Sequence, residues 1–442
     1  MRRTLYVQSP RARRQRAREQ RNFVFLLLLL GALVAFGLAL PLAQSQSVWL
    51  QQKYFAARAR VQEFFPRAEQ PQYVAPPLSV AVLENDPQPV SVPTRVAQGK
   101  DVQAKSADAT TQVQAAQLAL ESGHAQTTTP SLALPSKMYL QGVNWEAQWW
   151  NNCGPATLGM YLSYYGRADG QRLIAPFTKP DPEDKNVSPS ELAAYASGIG
   201  MNVVVRENGT LEQLKQILAN EMPVLIETAF DPPRAKQGWM GHYKLLVGYD
   251  ESQFTFMDSY NGPDQKISFA EADNDWRAFN RLYLIVYPKD KEQVVREIVG
   301  ADWDDRVMYE NAVARARAEM QANPNDAFAY FNLGASLNGL AQYDQAAAAF
   351  DRARLLKLPW RMMWYQFGAY RAYYETKRYD EILALADATL RGAENLEESH
   401  YYRGLALQAL GRDAEARAAF ESALRLNKNF SPAQEALDAW GS

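Results

Sequence analysis

Residues 145–166 read WEAQWWNNCGPATLGMYLSYYG, and this stretch decides the fold of the central part of the chain. Apolar residues follow the cysteine at helical spacing, and Pro155 suits a first helical turn, where a missing N–H costs nothing. One of the two preceding asparagines can cap the start of this helix, and Gly166 can cap its end. Cys153 is therefore predicted at a helix N-terminus, where a thiol has a lowered pKa and the nucleophilic thiolate is favoured.

A candidate base and a candidate orienting acid follow the cysteine. His242 opens an apolar strand, and Asp258 comes directly after a second strand at residues 254–257. A turn at residues 250–253 would return the chain antiparallel and bring the two side chains together. The carboxylate could then hold the tautomer of the imidazole, as the third member of a catalytic triad does.

A glutamine amide upstream of the cysteine completes the candidate site. Gln148 lies five residues before Cys153, and its side chain could join the Cys153 backbone N–H in stabilising an oxyanion. Gln141 is a weaker rival for this role. The other histidines, His124 and His400, lie far from this set in the chain.

These motifs carry a family resemblance. The order Q-x4-C-G-P-A-T, then G-H-Y with an apolar strand, then M-D-S-Y-N-G, resembles the bacteriocin-processing (double-glycine-leader) peptidases, and more closely their stand-alone bacterial relatives. The match covers about residues 138–290. It implies a papain-like cysteine peptidase domain of the α+β class that cleaves after small residues. By position it implies Cys153 as nucleophile, His242 as base, Asp258 as orienting acid and Gln148 as oxyanion donor.

Two other functions remain open for this domain. It could recognise a peptide without cutting it and act as a binding scaffold. It could also form the acyl-enzyme but pass the acyl group to an amine, which gives transpeptidation or another amide transfer. The sequence does not separate amide transfer from hydrolysis.

The C-terminal part, residues 300–442, is predicted to be a helical repeat. Gly334 and Gly404 are 70 residues apart, and so are Phe350 and Phe420, which corresponds to two steps of 35. This is close to the 34-residue period of tetratricopeptide (TPR) repeats, and about three units are expected in an all-α TPR solenoid. Such an array offers a concave surface for protein partners, or packs on the peptidase domain as a structural cap.

The N-terminal part predicts a membrane anchor. A basic tail at residues 1–22 with eight arginines precedes the uncharged apolar run 23–43, which is long enough to span a bilayer. The positive-inside rule places the tail in the cytoplasm and the rest of the chain outside, in a bacterial membrane by family resemblance. The competing interpretation is a signal peptide cleaved after Ala43. A helical extension at 44–66 and a disordered, proline-rich linker at 67–137 complete the predicted domain order.

Composition excludes several other classes of protein. The single cysteine excludes intrachain disulfides and cysteine-based metal clusters, and three scattered histidines do not suggest a metal site. A net charge of -2 gives no case for nucleic-acid binding. No metal or organic cofactor is expected. The expected partners are a peptide or protein substrate, a protein bound by the repeats, and the membrane through residues 23–43.

Overall fold

The computed structural model describes residues 134–231 and 238–440. The predicted basic tail, membrane helix, helical extension and nearly all of the predicted linker therefore lie outside the described residues. Within the described ranges, no helix is both long and apolar enough to cross a membrane. The described chain folds as a mixed α+β domain followed by an all-helical domain, as the sequence predicts.

The central domain is built on one antiparallel sheet. Its strands are β1 (Met138–Tyr139), β2 (Asn202–Arg206), β3 (Val224–Phe230), β4 (Met240–Tyr249), β5 (Gln253–Asp258), β6 (Gly262–Ser268) and β7 (Tyr283–Tyr287). Their order is β2-β7-β3-β4-β5-β6, and β1 pairs with β4. Strand β4 lies between β3, where Thr228 is opposite His242, and β5, where Met257 is opposite Leu245.

Six helices cover the two faces of the sheet. They are α1 (Cys153–Tyr164), α2 (Gln171–Thr178), α3 (Pro189–Gly198), α4 (Leu211–Ala219), α5 (Phe269–Trp276) and α6 (Glu292–Val299). Successive residues of a strand point to opposite faces, and β4 follows this rule. Leu245 and Val247 pack with α1, whereas Leu246 packs with buried residues of α4, α5 and α6. Helix α6, which neither predicted domain includes, thus packs on the core of the central domain.

Paired helices form the C-terminal domain. They are α7 (Asp305–Ala322), α8 (Ala327–Gly339), α9 (Tyr343–Leu355), α10 (Gly368–Glu375), α11 (Tyr379–Gly392), α12 (Glu397–Ala409), α13 (Asp413–Leu426) and α14 (Ser431–Asp438). Gly334 in α8 lies against the ring of Phe350 in α9, and Gly404 in α12 lies against Phe420 in α13. The middle unit differs, because a 3₁₀ turn at Trp360–Trp364 precedes a short α10.

The repeat domain docks on the central domain at two patches. At the first, Trp239 stacks on Phe279 of the central domain and on Phe328 of α8, with ring centroids 5.9 and 6.1 Å apart. Arg281 Nη1 lies 2.8 Å from Glu319 Oε1 of α7, and Asn280 Nδ2 donates to Ser336 Oγ of α8 at 3.0 Å.

Polar side chains form the second patch, near the start of α12. Asn186 Nδ2 donates to Glu398 Oε1 at 2.9 Å, and Asn395 Nδ2 donates to Asp181 Oδ2 at 2.7 Å. Asn427, which follows α13, donates to Glu191 Oε1 at 3.2 Å. The first helices of two repeat pairs, α8 and α12, therefore both contact the central domain.

Candidate active site

Cys153 is the first residue of α1, as the sequence predicts. Asn152 occupies the capping position, but its side chain does not cap the helix and instead donates to Gln171 Oε1 at 3.2 Å. Asn151 adopts a left-handed backbone with φ of 54°, which turns the chain into the helix. The thiol is half-buried and lies at the positive end of the helix dipole.

His242 lies between Cys153 and Asp258. The ring Nε2–H donates to Asp258 Oδ1 at 2.9 Å, which leaves Nδ1 for the thiol. Asp258 is fully buried, and its position is fixed by three further donors. Oδ1 accepts the N–H groups of Tyr260 and Asn261 at 2.7 and 3.0 Å, and Oδ2 accepts Asn261 Nδ2 at 3.0 Å. The predicted strand, turn and return strand thus bring the two side chains together.

The electrostatics of these three groups favour a thiolate beside an imidazolium. Burial alone would raise the pKa of the Cys153 thiol, but hydrogen bonding and charge from His242, with smaller effects of the Tyr243 backbone and Lys179, lower it. Burial lowers the pKa of His242, but Asp258 and Cys153 raise it to about 9. Burial raises the pKa of Asp258, but His242 and two backbone N–H groups lower it to about 2.

Gln148 is bonded to the loop after β5, next to Asp258 in the chain. Its backbone N–H donates to Ser259 O at 2.9 Å, and its Oε1 accepts the Ser259 hydroxyl at 2.9 Å. Because Oε1 is held by the hydroxyl, the side chain presents Nε2, its donor end, to any further group. The rival Gln141 is exposed.

Sequence reasoning missed the residue that organises the loop before the cysteine. Gln171 of α2 is fully buried and donates to Glu146 Oε1 at 3.0 Å and to Ala147 O at 2.7 Å. Its Oε1 accepts Trp149 N–H at 2.7 Å. Only the neighbouring position of Glu146 left a signal in the sequence, since a glycine within a helix marks a close approach. A Cβ at Gly159 would lie 2.9 Å from Glu146 Oε2.

The repeat domain reaches the neighbourhood of the imidazole. The ring of Phe230 stacks on His242 with centroids 4.6 Å apart. A Cβ at Gly241, the residue before His242, would lie 3.1 Å from the ring of Tyr365, which comes from the repeat domain. Neither aromatic residue has a pattern in the sequence that would place it there.

No metal site accompanies these residues in the part of the chain that the structure describes, since no three His, Cys, Asp or Glu side chains are grouped to hold an ion. His400 lies on α12, where Nε2 interacts with Glu394 O at 3.0 Å. His124 lies outside the described ranges.

Comparisons with known proteins identify the family that each domain resembles. Residues 140–284 match the model of the Peptidase C39 like family, and residues 397–430 match that of the tetratricopeptide repeat. A solved structure assigned as a C39-like peptidase from Bacillus anthracis is 16% identical, covers 35% of this chain and 99% of that chain, and has a TM-score of 0.30. No curated protein matches the chain. The predicted resemblance is thus confirmed: the central domain is C39-peptidase-like, and the C-terminal domain carries a tetratricopeptide repeat.

Proposed function

We propose that the central domain is a cysteine peptidase in which Cys153 is the nucleophile, His242 the base and Asp258 the orienting acid. The observation that carries this proposal is the position of His242 between a thiol at a helix N-terminus and a buried carboxylate. A nucleophile, a base within reach and a third group that orients the base are the parts that acyl transfer requires.

The proposed reaction is a two-step acyl transfer. The Cys153 thiolate attacks the peptide carbonyl, and the oxyanion is held by the Cys153 N–H and Gln148 Nε2. The His242 imidazolium gives its proton to the leaving amine as the thioester forms. Water then attacks the thioester as His242 takes one of its protons; the C–S bond breaks, the carboxylic acid leaves, and the Cys153 thiolate and His242 imidazolium are restored.

The finer parts of the proposal rest on the sequence. Cleavage after small residues follows from the family resemblance. Anchoring by residues 23–43, with the catalytic domain outside the membrane, follows from the apolar run and the arginines before it. Tetratricopeptide repeats mediate protein interactions, and we assign that role to the C-terminal domain.

The test compares the full-length chain with Cys153→Ala, using a peptide library and mass spectrometry. We expect cleavage by the wild type alone, with small residues before the cut. Added amines distinguish hydrolysis from transfer, because a transferase would give amide products. No cleavage, together with a Cys153 thiol that iodoacetamide does not alkylate at neutral pH, would overturn the proposal and favour the binding scaffold.

A further inference from the structure

A buried lysine lies behind the nucleophile and is not part of the proposed triad. Lys179, at the end of α2, is 3% exposed. Its Nζ donates to three backbone carbonyls: Asn151 O at 3.1 Å, Pro182 O at 3.2 Å and Asp184 O at 2.8 Å. A buried ammonium is costly unless its donors are satisfied, so this arrangement strongly constrains the backbone segments it joins.

The first of these segments is the turn that leads into α1. Asn151 has the left-handed backbone described above, and its carbonyl precedes the capping residue of the helix. Its side-chain Nδ2 donates to Glu183 O at 3.3 Å, and Trp150 Nε1 donates to Glu183 Oε2 at 3.3 Å. The turn before Cys153 is thus attached to residues 179–186, which we name the bridging loop.

The repeat domain holds the other side of the bridging loop. Asn395 donates to Asp181, and Asn186 donates to Glu398 of α12, as described for the second docking patch. Within the loop, Asp184 Oδ1 accepts Asn186 N–H at 2.9 Å. One continuous set of hydrogen bonds therefore runs from α12 through the bridging loop and Lys179 to the turn before the nucleophile.

We propose that Lys179 is a positioning residue that couples docking of the repeat domain to the reactivity of Cys153. The ammonium fixes the carbonyl of Asn151 and places a positive charge behind the thiol. Loosening the bridging loop would move that charge and the turn together. The inference rests on the proposed function only in taking Cys153 as the reacting group.

The charged groups around Lys179 come from both domains. Those of the central domain are Asp181, Glu183, Asp184, Lys185 and Glu191, and those of the repeat domain are Glu397 and Glu398. Burial lowers the pKa of Lys179 to about 8, while Asp184 raises it. The charge of Lys179 in turn lowers the pKa of the Cys153 thiol.

The experiment measures the rate at which iodoacetamide alkylates Cys153, as a function of pH, in the full-length chain. Cys153 is the only cysteine, so the signal is unambiguous, and no substrate is needed. We expect Lys179→Met to move the alkylation midpoint to higher pH, so that alkylation at any pH below the midpoint is slower than in the wild type. Lys215→Met, on the distant α4, serves as the charge control.

A second pair of variants keeps the inference testable if Lys179→Met does not fold. Asn395→Ala removes the bond from the repeat domain to Asp181, whereas Asn429→Ala removes another docking bond, to Phe177 O, that does not involve the bridging loop. We expect only Asn395→Ala to move the midpoint upward.

An unchanged midpoint in folded Lys179→Met, or equal midpoints for the two asparagine variants, would overturn the inference. A shifted midpoint in a chain that cleaves no peptide would support it and leave the peptidase proposal as the part that failed.

Discussion

The imidazole of His242 has two polar neighbours, and both act on its protonation in the same direction. Asp258 favours the protonated ring, and so does a thiolate at Cys153, which is why its pKa rises to about 9 despite full burial. The backbone N–H groups of Tyr260 and Asn261 donate to the Asp258 carboxylate, and these two hydrogen bonds keep it oriented toward the imidazole ring. Both the lowered pKa of Cys153 and the raised pKa of His242 therefore favour the thiolate–imidazolium form of the pair.

The pH profile of peptide cleavage tests this charge arrangement. The active form needs the imidazolium, so kcat/KM of the wild type should fall as the pH rises through about 9. In Asp258→Asn the charge that holds the proton is absent, so the alkaline limb should move to lower pH. The maximum kcat/KM should drop on the order of 10²-fold or more. An unmoved alkaline limb would show that Asp258 does not set the protonation of His242.

The amide of Gln148 gives a second prediction for a single residue. Replacing Gln148 by Ala removes one oxyanion donor, so kcat should fall about 10²–10³-fold while KM changes little. Gln141→Ala, a change of the same type at the exposed rival position, should leave kcat unaffected. Steady-state kinetics on both variants measures the difference. Equal kcat values for the two variants would remove Gln148 from the oxyanion site.

At the scale of elements, two glycine–phenylalanine contacts set the spacing of the repeat helices. A Cβ at Gly404 would lie 2.6 Å from the buried ring of Phe420. Gly404→Ala should therefore lower the free energy of unfolding by about 1–3 kcal/mol, the usual cost of overpacking. Gly198→Ala, where a Cβ meets nothing within 4 Å, should leave it unchanged or raise it. Denaturant unfolding of both variants measures these changes. Equal free energies of unfolding for the two variants would contradict the close contact between α12 and α13.

Sequence patterns predict the elements that carry the candidate site. The helix at Cys153 and the strand predicted at residues 254–257 lie where the spacing of apolar residues places them. Elements that the sequence did not predict include α2, α5 and β6. Helix α2 contains Pro176, a residue that normally ends helices, and the only large aliphatic residue of β6 is Ile267. Strand β6 therefore lacks the apolar alternation on which sequence reasoning depends.

The residues of the candidate site also fall into two groups, those that sequence motifs predict and those that they do not. Cys153, His242 and Asp258 follow from local motifs and from the geometry of one hairpin. Gln171 and Lys179 do not, because each acts by donating to backbone carbonyls that any sequence would supply. Such contacts depend on how loops fold in space and leave no residue pattern in the chain.

At the scale of the whole molecule, carboxyl groups are buried where the two domains meet. Burial raises the pKa of Glu191 to about 7, with a further increase from Glu397, although hydrogen bonds from Ser188 and Asn427 lower it. Burial also raises the pKa of Asp184 and of Glu398 well above their usual values. The folded chain therefore retains protons that the unfolded chain releases at lower pH.

These raised pKa values determine the direction in which the free energy of unfolding changes with pH. The contribution of Glu191 is fully present below its unfolded pKa of 4.5 and is lost as the pH rises through about 7, so the free energy of unfolding should fall across that window. Glu191→Gln keeps the hydrogen-bonding shape of the capping box, so it should reduce this fall, by on the order of 2 kcal/mol. Glu421→Gln, on the exposed face of α13, is the control.

Denaturant unfolding of the full-length chain at pH 5 and pH 8 measures the effect. A fall that is equally steep in the wild type and in Glu191→Gln would show that Glu191 does not titrate in this interval.

The docking of α8 and α12 against the central domain has a thermodynamic consequence. A protein that binds the surface which these helices present has to displace the peptidase-like domain, so the two associations compete. Competition of this kind is reciprocal. The factor by which the domain contact lowers the affinity for the partner protein is the factor by which the bound partner weakens the domain contact. The reactivity of Cys153 would then depend on the concentration of the partner protein, without a separate pocket for an effector.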